Sequence, residues 1–255
     1  MRLKIGLLSY NSILLPIGFN EYLQTLIYNH LNNNNNNKKQ IENDELTTKD
    51  RQFSLFTFSS ILEKGIFNKT VSTYIYPHSL SFYISSPCDS ILENLANNIA
   101  ESKFIRFGNN KLVVNYVEII NQFKITKDSV QINAITPIVA SLTSILNYKK
   151  KKNSDFSPFD KKFSTLINNN LTKKWSDLYN KKCTYKINIM PLFTGKKNEK
   201  IIYFGTGKTK IPIKGWLGSF LLQGDPELID FACEAGLGEK NSEGFGMIDV
   251  MSDNN

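Results

Sequence analysis

Leu3, Ile5 and Leu7 alternate with Arg2, Lys4 and Gly6, and this opening strand pattern starts an order of elements that few folds accommodate. Pro16 and Gly18 mark a turn, after which Asn20 is a good N-cap and Glu21 suits the first turn of a helix. Leu23, Leu26, Ile27 and His30 then fall at i, i+3, i+4 and i+7, one helical face, with Tyr28 well off that stripe. Residues 53–59 and 71–85 read as strands, the second broken by Pro77. Ile91, Leu95 and Ile99 give residues 90–101 helical spacing, and residues 111–120 alternate again. Strand, helix, two strands, helix, strand is the ferredoxin-like βαββαβ arrangement. The second half repeats it more loosely. Residues 124–134 read as strand, 159–179 as one helix or a broken pair, and 185–191, 201–204 and 211–222 as strands. A short helix over 226–235 and a strand over 247–250 close the chain. The expectation is an α+β chain of two tandem ferredoxin-like domains, residues 1–123 and 124–255. The asparagine run at positions 32–37, followed by Lys38 and Lys39, is expected to be a mobile loop.

With 255 residues, 41% of them hydrophobic, either one large or two ordinary domains can bury a core. The net charge of +8 is unevenly placed: residues 1–123 carry +1 and residues 124–255 carry +7. That favours a polyanionic partner for the second half. Cys88, Cys183 and Cys233 are odd in number and far apart, so neither a zinc site nor a disulfide framework is expected, and a reducing cytoplasm is the simplest compartment. Polar residues at positions 9–12 interrupt the first apolar stretch, against a signal peptide, and no run approaches the ~18 apolar residues of a membrane span.

Four glycines, Gly236, Gly238, Gly244 and Gly246, stand in a Gly-apolar-Gly, five-residue spacer, Gly-apolar-Gly frame near the C-terminus. Such density lets a backbone fold tightly and be approached closely, and Lys240, Asn241 and Ser242 inside it suit a phosphate backbone. The plainer alternative is a helix C-cap at Gly236 followed by a tight turn into a strand. This frame resembles the C-terminal glycine-rich signature of the CRISPR-associated endoribonucleases that process repeat RNA, members of the RAMP superfamily. Residues 21–29 (EYLQTLIYN) resemble that family's first helix, Leu55-Phe56-Thr57-Phe58-Ser59 its next strand, and Ile135-Thr136-Pro137-Ile138-Val139 a mid-chain segment. They occur in the same order over nearly the whole chain. The resemblance implies a RAMP-type pair of ferredoxin-like domains that cuts CRISPR precursor RNA within each repeat, for antiviral defence. Attack by an internal 2′-hydroxyl would leave a cyclic phosphate, without metal or other cofactor. The partner implied is CRISPR repeat RNA, with other subunits of an interference complex also open, as is the choice between monomer and homodimer.

Metal-free strand cleavage needs a base for the 2′-hydroxyl, an acid for the leaving 5′-oxygen and cations for the phosphorane. Two histidines are present. His30, near the end of the first helix, suits acid–base work, yet it lies on the apolar stripe and can equally be a satisfied core residue. His78 follows Pro77 in an expected loop. Neither has a His or Cys at ligand spacing, so no metal site is expected. Family members resembling this chain use a first-helix tyrosine, which Tyr28 matches, a histidine in the following loop and a lysine before the next strand. Here Asn43-Asp44-Glu45 occupies the place of that histidine and Ser54 that of the lysine, with Arg51 and Lys49 the nearest cations. The candidate catalytic set is therefore His30, Tyr28, Arg51 and Lys49. The candidate RNA-binding set is Gly236, Gly238, Lys240, Asn241, Ser242, Gly244, Phe245 and Gly246, with Lys149, Lys150, Lys151 and Lys152. Phe245, Trp216 and Tyr185 could stack on bases, though strand aromatics are usually core. Lysine pairs such as Lys173/Lys174 read singly as solvated faces. A subunit that binds repeat RNA without cutting it is the alternative to the nuclease. Gly205-Thr206-Gly207-Lys208-Thr209 is not a nucleotide-binding loop: position 202 is Ile where that motif needs Gly, and an extended pattern follows.

Overall fold

The computed structural model describes residues 1–31, 55–142, 154–205 and 210–251. It divides into two compact units: residues 1–122 with 203–212 and 242–244, and residues 123–202 with 213–241 and 245–255. The asparagine run, and the loop expected there, lie outside the described residues.

In the first unit, β1 (Arg2–Leu8) and β2 (Ile13–Pro16) precede α1 (Asn20–Leu31). Then come β3 (Thr57–Phe58), β4 (Ile66–Asn68), β5 (Thr73–Tyr76) and β6 (Ser79–Ser85). Helix α2 (Asp89–Ala100), β7 (Ile105–Phe107) and β8 (Asn110–Ile120) complete it. The main sheet has the order β3-β6-β1-β8-β7, so that β1 lies between β6 and β8, antiparallel to both. That places the four βαββαβ strands in ferredoxin-like order, with β7 added as a hairpin. Leu3, Ile5 and Leu7 of β1 are buried with Leu23, Leu26 and Ile27 of α1 and Leu92, Leu95 and Ile99 of α2, while Arg2 and Gly6 on the other face of this central strand are buried too. At about 1.5–3 kcal/mol for each fully buried aliphatic side chain, this cluster dominates the stability of the unit. Pro77 does break the expected long strand, and the two pieces join different sheets. β6 stays central, whereas β5 pairs with β2 and β4 in a separate three-stranded sheet.

In the second unit, β9 (Ser129–Ile138), β10 (Ser141–Leu142) and β11 (Ser154–Asp155) precede α3 (Lys161–Tyr179). β12 (Ile187–Pro191), β13 (Glu199–Phe204) and β14 (Ile211–Gly224) follow. Helix α4 (Pro226–Ala235) and β15 (Ile248–Val250) end it, and between them in the chain lies a 3-10 turn (Asn241–Glu243) whose Ser242 and Glu243 are counted with the first unit. The sheet order β12-β14-β9-β15, with β13 on β14, repeats the ferredoxin-like order. Helix α3 is unbroken, burying Phe163, Ile167, Leu171 and Trp175 at i, i+4, i+8 and i+12, and it ends at Asn180 in the left-handed conformation. Phe163 stacks on Phe220 of β14 with ring centroids 6.5 Å apart. Pro226 opens α4 at the position where a missing N–H costs nothing. Strand β14 begins at Ile211, where the extended pattern is expected.

Candidate functional site

The glycine frame begins where α4 ends. Leu237 donates its N–H to the Gly246 carbonyl (2.8 Å) and closes the neck of the loop, while Gly246 donates to Pro137 (2.9 Å) and Glu239 to Val139 (2.9 Å). Gly238 also bridges Val139 in parallel register. The approach to Val139 requires a residue without a Cβ at position 238. Gly238 has φ +72°, and a Cβ there would run into the Val139 carbonyl. Gly195 is also left-handed, at φ +76°, but opens on free space. Gly238→Ala is therefore expected to lower stability by roughly 1–3 kcal/mol and Gly195→Ala by about 1 kcal/mol, read from urea midpoints. Equal midpoint shifts would mean that the approach to Val139 is not what constrains the loop.

The loop's interior is built from its own residues. Asn241 is buried, and its Nδ2 donates to the Leu237 carbonyl (3.2 Å) and the Phe245 carbonyl (2.9 Å). Phe245 is fully buried and Trp216 only 2% exposed, so both rings are packed away from solvent and neither is presented for stacking. Tyr185 meets Trp175 edge-on at 5.3 Å. Lys240 and Ser242 are half-buried, and Lys240 has a left-handed φ of 63°.

One residue of this region has no counterpart among the expected contacts. Lys174 of α3 places its ammonium 3.1 Å from the Gly236 carbonyl, 2.9 Å from the Gly238 carbonyl and 2.5 Å from Asn241 Oδ1. Three donors meet three acceptors. The residue as a whole keeps some accessible surface, but the ammonium is enclosed, and burial pushes its pKa down to about 7 against the opposing pull of Glu239. Glu239 is itself fastened by the Ser141 hydroxyl at 2.5 Å. The sequence does carry a signal for Lys174, which falls on the apolar stripe of α3 between Leu171 and Trp175, whereas Lys173 falls off it.

Within the first unit, Asn20, Gln24 and Tyr28 recur every fourth residue along α1 and face residues 242–243. Asn20 Nδ2 donates to the Glu243 carbonyl (3.3 Å) and Gln24 Nε2 to the Ser242 carbonyl (2.8 Å). The Ser242 side chain hydrogen-bonds the Tyr28 phenol. Tyr28, expected well off the apolar stripe, packs edge-on against Phe56 at 5.4 Å, and burial raises its pKa. It stays a neutral phenol at physiological pH. His30 is half-buried, with Nδ1 2.8 Å from the Leu26 carbonyl. An oxygen acceptor there makes Nδ1 the N–H of the neutral ring, so that Nε2 is the nitrogen left to exchange a proton. Two residues along a helix turn about 200°, so Tyr28 and His30 leave α1 in nearly opposite directions. His78 is exposed, and its carbonyl accepts from the Ser9 N–H.

Arg51, Lys49, Asn43, Ser54 and the lysines at 149–152 lie outside the described residues. Among the described residues no group of three or more His, Cys, Asp or Glu could hold a metal ion, and no helix is long and apolar enough to cross a membrane.

Two family models match in tandem: the N-terminal model of CRISPR-associated protein Cas6 over residues 14–118 and the C-terminal model over residues 120–250. The chain is 31% identical to the CRISPR-associated endoribonuclease Cas6 1 of Methanocaldococcus jannaschii, covering 100% of this chain and 94% of that one. It is 26% identical to the CRISPR-associated endoribonuclease Cas6 of Pyrococcus furiosus, covering 92% and 83%. A solved structure of a CRISPR-associated protein Cas6 superposes with a TM-score of 0.75 at 26% identity, covering 99% of both chains. With matching models over both ferredoxin-like units and a relative aligned end to end, the chain belongs to the Cas6 family of CRISPR-associated proteins.

Proposed function

We propose that the protein is a cytoplasmic, metal-independent endoribonuclease that cuts CRISPR precursor RNA within its repeats. The observation that carries this reading is the end-to-end match to the Methanocaldococcus jannaschii endoribonuclease, which leaves neither unit of this chain unaccounted for. In the proposed reaction an internal 2′-hydroxyl attacks the adjacent phosphorus, the P–O5′ bond breaks, and a cyclic phosphate and a 5′-hydroxyl result. His30 is assigned the proton transfer, because its Nδ1–H is committed to Leu26 and its Nε2 is left as an acceptor. Tyr28, tied to Ser242, is assigned chiefly to holding the loop tip. Arg51 or Lys49 is assigned the charge of the phosphorane. The loop from Gly236 to Gly246, with Lys240 and Ser242 at its surface, and the lysines at 149–152 are assigned the RNA backbone. Phe245 and Asn241 serve from within, as parts of the loop's frame.

Two observations favour a second reading, a subunit that binds repeat RNA without cutting it. The hydrogen bond from His30 to its own helix is also what a structural histidine makes, and the family's loop histidine has no match at Asn43-Asp44-Glu45. Incubating the protein with repeat RNA in EDTA separates the two. Cleavage that survives the chelator supports the first reading; tight binding without a product supports the second; cleavage that disappears with EDTA removes metal independence.

Electrostatics supplies a further test. Affinity should fall linearly on a log–log salt plot, and changing Lys149, Lys150, Lys151 and Lys152 together to Gln should flatten the slope by at most about one unit per lysine. An unchanged slope would place the RNA track elsewhere.

A further inference from the structure

A lysine at the centre of three carbonyl oxygens is an unusual element to find beneath a loop assigned to an anionic ligand. Gly236 and Gly238 lie on one arm of the loop and Asn241 opens the 3-10 turn, so one ammonium ties together residues five positions apart along it. Carbonyl oxygens that pointed outward would repel a phosphate; bonded to a buried cation, they are committed to the interior. The same cation adds positive potential beneath the loop.

We propose that Lys174 is the positioning residue of the glycine-rich loop for repeat-RNA binding, gathering the loop's acceptor oxygens onto its ammonium and taking up a proton when the phosphate backbone docks. The inference rests on the repeat-RNA reading above. A neutral amine has two N–H donors for three acceptors, so losing the proton releases one arm of the loop. Glu239 is the carboxylate that faces the ammonium, from the loop itself. Lys173 beside it on α3 and Lys240 in the loop add positive charge nearby in sequence. In the free protein burial outweighs Glu239 and holds the group near 7. A phosphate overhead adds negative charge and raises it. Binding above neutral pH is then coupled to uptake of a proton, and affinity falls as pH rises, by at most about tenfold per pH unit for a single proton.

Stability responds with the opposite sign. Between about 7 and the ordinary lysine value of 10.5 the unfolded chain keeps a proton that the native state lacks, so this group's contribution to stability rises through that window. Weaker RNA binding at higher pH is therefore not a sign of Lys174-driven unfolding.

The test uses the full chain and a 2′-O-methyl RNA of the CRISPR repeat from the genome that encodes it, which cannot be cut. Dissociation constants are measured from pH 6.5 to 8.5 at constant ionic strength, with melting temperatures alongside. The wild type should lose roughly tenfold in affinity across that range. Lys174→Met should bind about tenfold or more weakly at pH 6.5, with a flat pH profile. Lys174→Arg keeps the charge but does not titrate in this range; it should bind within a few-fold of the wild type at pH 6.5 and also be flat, and it decides the question if the Met variant does not fold. A folded Lys174→Met protein with wild-type affinity, or a wild-type pH slope that persists in Lys174→Arg, overturns the proposal and leaves the RNA reading standing. A wild type that binds no repeat RNA at any pH overturns both.

Discussion

His30→Ala is expected to slow single-turnover cleavage of repeat RNA by roughly 100-fold or more, the usual scale for losing a general acid or base. RNA affinity should be nearly unchanged, because a group that moves a proton acts mainly in the transition state. The expectation comes from the ring's setting. A hydrogen bond from Nδ1 to the Leu26 carbonyl selects the tautomer with an unprotonated Nε2. The backbone of His30 is held in turn, its carbonyl accepting from Asn98 Nδ2 at 2.6 Å. Tyr28→Phe tests a different kind of role. It removes the bond to Ser242 and should weaken binding more than it slows the bound complex, since Tyr28 leaves the helix on another face. If His30→Ala cleaves at the wild-type rate, the ring only completes the last turn of its helix. The base must then be sought at His78 or among residues 32–54.

The parts of the fold that were legible are those where a period repeats long enough to outvote local noise. β1 alternates over residues 2–7 and α2 repeats its apolar positions over twelve, and both stand where the sequence places them. Short edge strands were not legible. Ile13–Pro16 reads as the approach to a turn because it carries a proline, and Ile66–Asn68 is too brief to show any period, yet they flank β5 in a sheet of their own. In the second half, β9 starts at Ser129 and runs to Ile138, shifted four to five residues later than the strand expected over 124–134. Beyond Ala134, where the β15 ladder ends, Met247 accepts from the Ile135 and Thr136 N–H groups and Gly246 donates to the Pro137 carbonyl, so Pro137 is asked only for its acceptor. At the site, Lys173 and Lys174 are chemically identical in sequence and differ by one step of about 100° around α3. That step separates an exposed cation from one enclosed by the loop, and only the Phe163, Ile167, Leu171 stripe announces it. Phe245 illustrates the converse error. An aromatic between two glycines invites a reading as a stacking platform, but the glycines that open the backbone also let it fold over the ring.

Phe245→Ala distinguishes those two roles in one experiment. A fully buried phenylalanine cut back to alanine loses its transfer free energy and leaves a cavity, together about 3–5 kcal/mol. For a chain of this size that corresponds to a fall in melting temperature on the order of 10 °C. A stacking residue behaves differently: its removal would leave the melting temperature nearly unchanged and cost about 1–3 kcal/mol of RNA affinity per base. The structure predicts the first pattern, and the reason is local. The Phe245 carbonyl accepts from buried Asn241, Leu237 closes the neck by bonding to Gly246, and Met247 next in sequence is fully buried, so the ring sits in a segment with no freedom to swing outward. Phe245→Leu keeps most of the apolar volume and should recover most of the stability. RNA affinity should then follow folding across the three proteins: intact in Leu, and reduced in Ala only near the temperature where the variant melts. A Phe245→Ala protein that melts like the wild type but has lost its grip on repeat RNA would show the ring to be a contact after all, exposed by a loop that opens when RNA arrives.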